Sequence, residues 1–235
     1  MPVLRPALLS MLFLGTVACS GHDDAQQAAA PAAPPADESA GKLETYRKLL
    51  SIHNEAMAVQ MGQDILNLYP DTPAAAEVNK TLPDLKVKVE KDAEEARLKN
   101  LWQYQTAPMA GGTQVTATIY SSRPSGDDRV RLVLRRHTAW GQSVFLFGSG
   151  KGFSCAGNCK ITATYDGKPH PLVGYRPTTG EPAMFIKNDQ AFITELPKVK
   201  KIQMEIVSAD RGKQTLTFET AGYDASKFPA LPKKK

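Results

Sequence analysis

The chain has 235 residues, of which 42% are hydrophobic and 23% are charged, and its formal net charge is +5. This composition excludes a mostly disordered chain and a polytopic membrane protein. The 3 Cys exclude a disulfide-dense miniprotein, and the 17 Gly and 17 Pro fall short of a collagen-like repeat. The length allows one or two domains that fold around a buried apolar core.

The first 18 residues have the pattern of a secretory signal peptide. One positive charge, Arg5, precedes roughly a dozen apolar residues, and small residues follow. The apolar segment is too short to cross a hydrocarbon layer of about 30 Å. We therefore expect residues 1–18 to be removed on export, and the mature chain not to span a membrane.

The residues Thr16-Val17-Ala18-Cys19 resemble the lipobox of bacterial lipoproteins, in which cleavage precedes a lipid-bearing cysteine. Ala18 and Cys19 match this pattern, whereas Thr16 stands where an aliphatic residue is usual. The resemblance implies fatty acylation of Cys19 with palmitate-type chains. Because Ser20 rather than Asp follows, it also implies the outer membrane, on its periplasmic face. The alternative is a chance cysteine in an ordinary signal peptide.

The other two cysteines, Cys155 and Cys159, flank a Gly-Asn turn between strand-like segments. An oxidising compartment favours a disulfide between them, which would stabilise so short a loop by roughly 2 kcal/mol. A metal site or a redox pair is the alternative. Both usually have two residues between the cysteines, and no neighbouring Cys or His completes a zinc set. We expect a structural disulfide, no metal and no cofactor.

Residues 19–40 are predicted to form an unfolded tether behind the lipidated cysteine. The segment is rich in Ala and Pro, and from Ser20 onward it contains no Leu, Ile, Val or aromatic residue that could be buried. Such a spacer would let an anchored domain reach beyond the lipid headgroups.

Residues 41–101 are predicted to form a two-helix hairpin. Apolar residues recur at three- and four-residue multiples over 42–69, and a second apolar stripe follows Pro73. Pro83 is expected to kink or divide the second helix. His53 lies on the first stripe and is expected to be partly buried, and Met57 and Met61 are expected to belong to the core.

The segment Leu68-Tyr69-Pro70, followed by a new helix, resembles the junction between repeats in tetratricopeptide-like proteins. The resemblance covers about 60 residues at most, and no second copy follows at the period of that family. It therefore does not imply a concave peptide-binding array. A hairpin packed on the neighbouring domain is the expectation.

Residues 102–228 are predicted to form a β-rich domain, because the period of apolar residues changes from 3.6 to 2. We count about eight short strands separated by turn signals, with a short helix over 189–196. The prediction is an α+β protein in which the helical hairpin precedes an antiparallel β-sandwich or open barrel. Residues 229–235 form a basic tail.

The stretch from Phe153 to Gly167, with the segments 183–186 and 216–222, resembles a domain of uncharacterised exported bacterial proteins. This resemblance implies a β-rich fold and carries no activity.

No catalytic motif emerges from the sequence. A Gly-x-Ser-x-Gly elbow and a His-Glu-x-x-His helix are both absent, and residues 148–152 lack the spacing of a phosphate-binding loop. The candidate acid-base groups occupy predicted turns, where solvation is the simpler role: Asp127, Asp128, Asp166 and Glu181. Three arginines could line a basic strand face or an ordinary wet sheet surface: Arg131, Arg135 and Arg136.

These observations predict a non-catalytic lipoprotein that binds or scaffolds an envelope protein through modules tethered to the membrane, with peptidoglycan as a second candidate partner. Nucleic acid is not an expected partner of an exported protein. Two alternatives remain at this point: a cell-wall hydrolase with dispersed carboxylates, and a periplasmic inhibitor of a hydrolase.

Overall fold

The computed structural model describes residues 36–231, with side chains from residue 38 onward. The predicted signal peptide, Cys19 and the tether as far as residue 35 lie outside the described residues. None of the described helices has the length and apolar content that crossing a membrane requires.

Three helices form the N-terminal part: α1 (Ala36–Ser51), α2 (Glu55–Leu68) and α3 (Pro73–Asn100). The single helix expected over 42–69 is therefore divided. The division has a local cause, because His53 has a left-handed φ of 57° and the Asn54 side chain accepts a hydrogen bond from the Met57 N–H. His53 and Met57 are exposed, so their predicted burial is wrong, whereas Met61 is partly buried.

Helix α1 begins inside the segment that composition predicts to be unfolded. The Tyr69 hydroxyl donates a hydrogen bond to the Glu38 carboxylate at 3.0 Å, and Ser39 is buried. These contacts reach across the helical bundle, so a local lack of apolar residues does not reveal them.

The three helices share a small core of their own. Tyr46 is buried, and its hydroxyl lies 2.8 Å from the Thr81 hydroxyl. On the exposed side, Arg47 and Glu77 pair between α1 and α3. The buried apolar residues of this core come from all three helices: Leu43, Tyr46, Ala58, Ile65, Ala74, Ala75, Val78 and Leu82.

Helix α3 continues through Pro83 without being divided, and its second half is an exposed arm. Ala93 and Ala96 of the predicted apolar stripe are exposed, so the stripe is not covered there, and Val87, outside the stripe, is 67% exposed. Ion pairs one turn apart support the arm, including Lys88 with Asp92 at 3.2 Å. At about 1.5 Å per residue, the whole helix is about 42 Å long.

The last turns of α3 meet the β-rich part of the chain. Arg97 donates to Glu94 at 2.6 Å and to Glu219 at 2.7 Å. A Cβ atom on Gly222 would lie 2.1 Å from the Leu98 carbonyl oxygen, so only glycine allows this approach. The contact that was expected between the helical hairpin and the β-domain thus comes from the last turns of α3.

Ten strands follow, together with one α-helix, α4 (Asp189–Glu195). In chain order the strands are β1 (Trp102–Met109), β2 (Gly112–Tyr120), β3 (Arg131–His137), β4 (Gly141–Phe147), β5 (Asn158–Tyr165), β6 (Lys168–Pro169), β7 (Leu172–Tyr175), β8 (Ala183–Ile186), β9 (Lys201–Ser208) and β10 (Gly212–Glu219).

All ten strands belong to one antiparallel sheet in the order β1-β2-β3-β4-β8-β7-β5-β9-β10, with β6 beside β5. The sheet is not closed by a continuous ladder. The segment after β2 nevertheless approaches β10, where the Ser122 N–H donates to Thr217 O at 2.7 Å and the Thr217 N–H donates to Arg123 O at 2.9 Å. The predicted α+β class, with an antiparallel sandwich or open barrel, is confirmed.

A single apolar core lies on the inner side of the sheet. It contains residues from β1 to β5 and from β7 to β10, and Phe192 and Ile193 of α4 pack against it. The helix predicted over 189–196 is confirmed, and it covers part of this core. Leu231, in the predicted basic tail, is partly buried against the same core, and residues 232–235 lie outside the described part of the chain.

Two strands were not predicted. β6 contains Pro169, and β7 follows Pro171 and contains Gly174, residues that weaken a strand signal. Gly174 has a steric reason, since a Cβ atom there would lie 2.9 Å from Ile161 Cδ1.

We predict opposite effects of removing two tyrosine hydroxyls. The buried Tyr165 hydroxyl has no hydrogen-bond partner among the described residues, whereas the Tyr104 hydroxyl accepts the Asp224 N–H at 2.7 Å. Tyr165→Phe should raise the free energy of unfolding by about 1 kcal/mol, and Tyr104→Phe should lower it by about 1 kcal/mol, as measured by urea denaturation.

The difference in free energy of unfolding between Tyr165→Phe and the wild-type protein should increase above pH 10.0. Burial, and then the charge of Glu195, raises the pKa of Tyr165 above its ordinary value of 10.0. The wild-type protein therefore loses stability as the pH rises through the folded-state pKa. A loss of stability in Tyr165→Phe as large as that in Tyr104→Phe would contradict this account.

Candidate functional site

Strand β3 separates its side chains between the core and the solvent. Leu132 and Leu134 are fully buried on the inner side, which places Arg131 and Arg135 together on the outer side. Strand pairing brings Arg131 opposite Phe147 and Arg135 opposite Ser143. Two of the three arginines that the sequence singled out therefore share one exposed face.

Aromatic rings continue this face across the neighbouring strands. Phe145 of β4 pairs with Phe185 of β8, which in turn pairs with Tyr175 of β7. The Phe145 and Phe185 ring centroids are 4.9 Å apart, and those of Tyr175 and Phe185 are 5.5 Å apart, both in stacked arrangements. The result is a row of three rings that crosses three strands.

Both arginines lie over rings of this face. The Arg131 Cζ atom is 4.8 Å from the Phe147 ring centroid and 5.9 Å from that of Tyr120. The Arg135 Cζ atom is 5.2 Å from the Phe145 centroid and 6.0 Å from the Phe185 centroid. These are cation–π distances, so the rings hold the guanidinium planes in place.

Neither arginine forms an ion pair within residues 38–231, where the structure describes side chains. The Arg135 Nε–H donates to the Ser143 hydroxyl at 3.1 Å, and no hydrogen bond of the Arg131 side chain to a described residue is found. Burial lowers the pKa of the Arg135 guanidinium, and the nearby Glu181 carboxylate opposes this shift. An arginine remains a cation at neutral pH, so the face carries two positive charges that form no direct ion pair with a described residue.

Trp140 completes the face at one end. The Arg135 Cζ atom lies 5.4 Å from the Trp140 ring centroid, and Trp140 stacks on His137 at 3.9 Å. His137 is buried, and its Nδ1 atom accepts the N–H groups of Ala139 and Trp140 at 3.0 and 3.2 Å. The proton is therefore on Nε2, which donates to Met109 O at 2.8 Å. His137 positions Trp140.

We call this surface the arginine–aromatic face and define it by eight residues: Tyr120, Arg131, Arg135, Trp140, Phe145, Phe147, Tyr175 and Phe185. Its rings were missed by sequence reasoning. The alternation of residues 143–147 places Phe145 and Phe147 on one side of the strand and Val144 and Leu146 on the other. This pattern could have predicted that the two Phe rings lie on the outer face. The pairing of β4 with β8 and of β8 with β7 had no local signal.

Arg136 does not belong to this face, because it is adjacent to Arg135 and points to the other side of the sheet. Its Nη1–H donates to the Phe228 carbonyl oxygen at 2.6 Å, and its Cζ atom lies 4.4 Å from the Phe228 ring centroid. The interpretation of three arginines on one strand face is therefore corrected to two.

The four carboxylates considered for acid-base chemistry lie in three separate turns, because Asp127 and Asp128 are neighbours. Asp127 lies in the short 3-10 helix Gly126–Asp128. The other three have the following contacts: Asp128 with Arg211 at 2.6 Å, Asp166 with the Lys201 N–H at 2.8 Å, and Glu181 with the Thr179 hydroxyl at 2.9 Å. Each contact fixes a separate turn.

Cys155 and Cys159 are joined by a disulfide, with their Cα atoms 5.6 Å apart. The bond links the loop before β5 to the second residue of that strand. Gly148, Gly150 and Gly152 belong to a loop in which the Lys151 N–H donates to the Asp210 carboxylate at 2.7 Å.

One titratable cluster lies at the α4 end of the sheet. The Tyr165 ring stacks on His170 with centroids 3.9 Å apart, and His170 Nε2 lies 3.3 Å from the Glu195 carboxylate. These contacts fasten the β6–β7 segment to α4. Within the described residues, no group of three or more His, Cys, Asp or Glu side chains could hold a metal ion.

Comparison of the chain with protein-family models, with curated proteins and with solved structures finds no match.

We predict that His137 stabilises the turn that carries Trp140. His137→Ala removes a buried side chain that accepts two backbone N–H groups and donates to Met109 O, so it should lower the free energy of unfolding by about 2 kcal/mol. Trp140→Ala removes the ring contacts with His137 and Arg135 and should cost about 1 kcal/mol. Urea denaturation of both variants measures the difference, and equal losses would contradict the role of His137.

Proposed function

We propose that this protein is a lipid-anchored, non-catalytic binding module of the bacterial cell envelope, and that the arginine–aromatic face binds a partner protein. One observation carries the proposal. Arg131 and Arg135 lie over aromatic rings on an outer sheet face, and neither forms an ion pair with a described residue.

The composition of the face supports a protein partner. Trp, Tyr, Phe and Arg are the residues enriched at protein interfaces, and Trp, Tyr and Arg dominate the binding energy there. A partner that covers the rings would remove water from around the two guanidinium groups. Ion pairs formed with its carboxylates would then be stronger than pairs formed in water.

The geometry of the binding groups also lowers the cost of association. Both guanidinium groups already lie over aromatic rings, and Arg135 is further fixed by Ser143. Side chains that are ordered before binding lose less conformational entropy when the partner arrives.

The membrane part of the proposal depends on the sequence. The lipobox-like residues up to Cys19 support lipid anchoring, and Ser20 supports the periplasmic face of the outer membrane. Several acyl chains at about 0.8 kcal/mol per buried methylene would give stable attachment. Helix α3, about 42 Å long, would then set the helical bundle and the sheet apart.

A photo-crosslinking experiment in intact bacterial cells tests the proposal. Benzoylphenylalanine is placed at Tyr175, which is 37% exposed at the end of the aromatic row, or at Val207, which is 40% exposed on β9. Tyr175 should give a crosslink to one protein, identified by mass spectrometry in replicate cultures. Val207 serves as the control of matched exposure and should not capture that protein.

Charge variants separate specific binding from general attraction. The double variant Arg131→Ala/Arg135→Ala should lose at least nine-tenths of the Tyr175 crosslink, because it removes both cations of the face. Lys201→Ala/Lys213→Ala removes two exposed cations from β9 and β10 and should keep it. Retention in the arginine variant, or capture of the same protein from Val207, would refute the proposal.

The variant Cys19→Ser tests the anchor separately. Without an acylated cysteine, the protein should move from the membrane fraction to the soluble fraction of the cell and should not incorporate labelled palmitate. Unchanged fractionation would refute the lipid anchor and leave the binding face untouched.

A further inference from the structure

We infer that a cavity at the seam where the segment after β2 approaches β10 binds the phosphate group of a phosphate monoester. The cavity has a volume of about 470 Å³, within the range of about 300–1,000 Å³ that is usual for small-molecule sites. We call it the seam cavity. It goes beyond the proposed function, which does not use it.

Strand pairing places the lining of the seam cavity around Thr217 of β10. Gln203 of β9 is opposite Thr217 on one side, and Arg123 forms an isolated bridge with Thr217 on the other. Lys201, two residues before Gln203 on β9, is opposite Glu219. All five residues line the cavity, so its two cations come from opposite sides of β10.

Four of the lining side chains carry hydrogen-bond donors that have no partner within the part of the chain whose side chains are described: Arg123, Lys201, Gln203 and Thr217. The two cations are exposed and form no ion pair there. Thr217 is only 9% exposed. A hydroxyl on so buried a residue reaches little water, so a ligand oxygen in the cavity is a favourable partner for it.

The carboxylates near Lys201 are engaged by other groups. Both oxygens of Glu219 accept hydrogen bonds from Arg97, at 2.7 and 3.4 Å. Asp166 accepts the Lys201 backbone N–H at 2.8 Å and does not line the cavity. Neither carboxylate forms a direct ion pair with the Lys201 ammonium group or the Arg123 guanidinium group, which leaves both cations for a ligand.

This set of donors matches a phosphate monoester better than a carboxylate. A phosphate monoester has three terminal oxygens and a charge of about −1.5 to −2 at pH 7, whereas a carboxylate has two oxygens and a single charge. Two cations on opposite sides of the cavity complement the two charges. The Thr217 hydroxyl and the Gln203 amide can donate to the oxygens that the cations leave free, and the remaining volume accommodates the organic part of the ester.

Calorimetric titration tests the inference with the full mature chain, made soluble by Cys19→Ser. The probe is sn-glycerol 3-phosphate, and the control ligand at the same ionic strength is glycerophosphoglycerol, a phosphodiester with one negative charge. The monoester should bind at least fivefold more tightly than the diester. It should also raise the midpoint of thermal unfolding, because it binds the folded chain.

A second arm identifies the source of the phosphate group. Vesicles of phosphatidylcholine with 10% phosphatidic acid present a monoester at a lipid surface, and vesicles with 10% phosphatidylglycerol present a diester. Binding of soluble sn-glycerol 3-phosphate assigns the cavity to a soluble phosphate ester. Preferential sedimentation with the phosphatidic acid vesicles, without binding of the soluble probe, assigns it to a lipid headgroup.

Variants assign the binding to the seam cavity. Arg123→Gln and Lys201→Gln should each weaken it at least tenfold, because each removes a charged donor. Thr217→Val should weaken it about fivefold without lowering the free energy of unfolding in ligand-free buffer, since its hydroxyl has no partner to lose. Lys213→Gln removes an exposed cation of β10 outside the cavity and should leave Kd within twofold.

Two results would overturn the inference. The first is no binding of sn-glycerol 3-phosphate at 20 mM together with equal sedimentation on the two kinds of anionic vesicle. The second is binding of wild-type strength in Arg123→Gln. The crosslink from Tyr175 depends on other strands and other arginines, so its presence or absence reports on the proposed function separately.

Discussion

The alternation of side chains along β3 is the constraint on which both the fold and the binding face depend. Leu132 and Leu134 enter the core that unites the sheet, and the same pleat forces Arg131 and Arg135 outward. A shift of the strand by one residue would bury two arginines and expose two leucines. The buried residues therefore fix the position of the charged ones.

Cation–π contacts with the rings stabilise the positions of the outer arginines, but the rings do not neutralise the positive charges. A cation–π contact at a partly exposed site contributes about 0.5–1 kcal/mol, which is enough to orient a guanidinium group and much less than a buried ion pair requires. Other arginines form ion pairs, such as Arg97 with Glu94 and Glu219 or Arg47 with Glu77. Arg131 and Arg135 form none within residues 38–231, and both lie over aromatic rings.

Much of the fold follows from residue patterns that span a few positions. Period-2 alternation located five of the ten strands and the change from helices to sheet beyond Trp102, and three more strands were placed among the turn signals. β6 and β7 were missed because two prolines and Gly174 removed their strand signal, and Gly174 is required by contacts with Ile161 and Met184 that are distant in sequence. The break between α1 and α2 had a local signal in Asn54, which apolar periodicity alone does not register.

The candidate site was predictable only in part, for the same reason. Arg131 and Arg135 share a face by their spacing, and Arg136 had to differ from them. Phe145 could be assigned to the outer face from its own strand. Phe185 reaches it through the pairing of β4 with β8, which skips over the segment 148–182, and Tyr175 reaches it through the pairing of β8 with β7. No single strand contains that information.

The central claim is that two guanidinium forks, rather than two positive charges, make this face a binding site. The double variant Arg131→Lys/Arg135→Lys tests it most directly, because it keeps the charge and removes the planar fork. Crosslinking from Tyr175 in cells should fall at least tenfold in this variant, while the protein stays folded and at normal abundance. A crosslink of wild-type strength in the lysine variant would contradict the account.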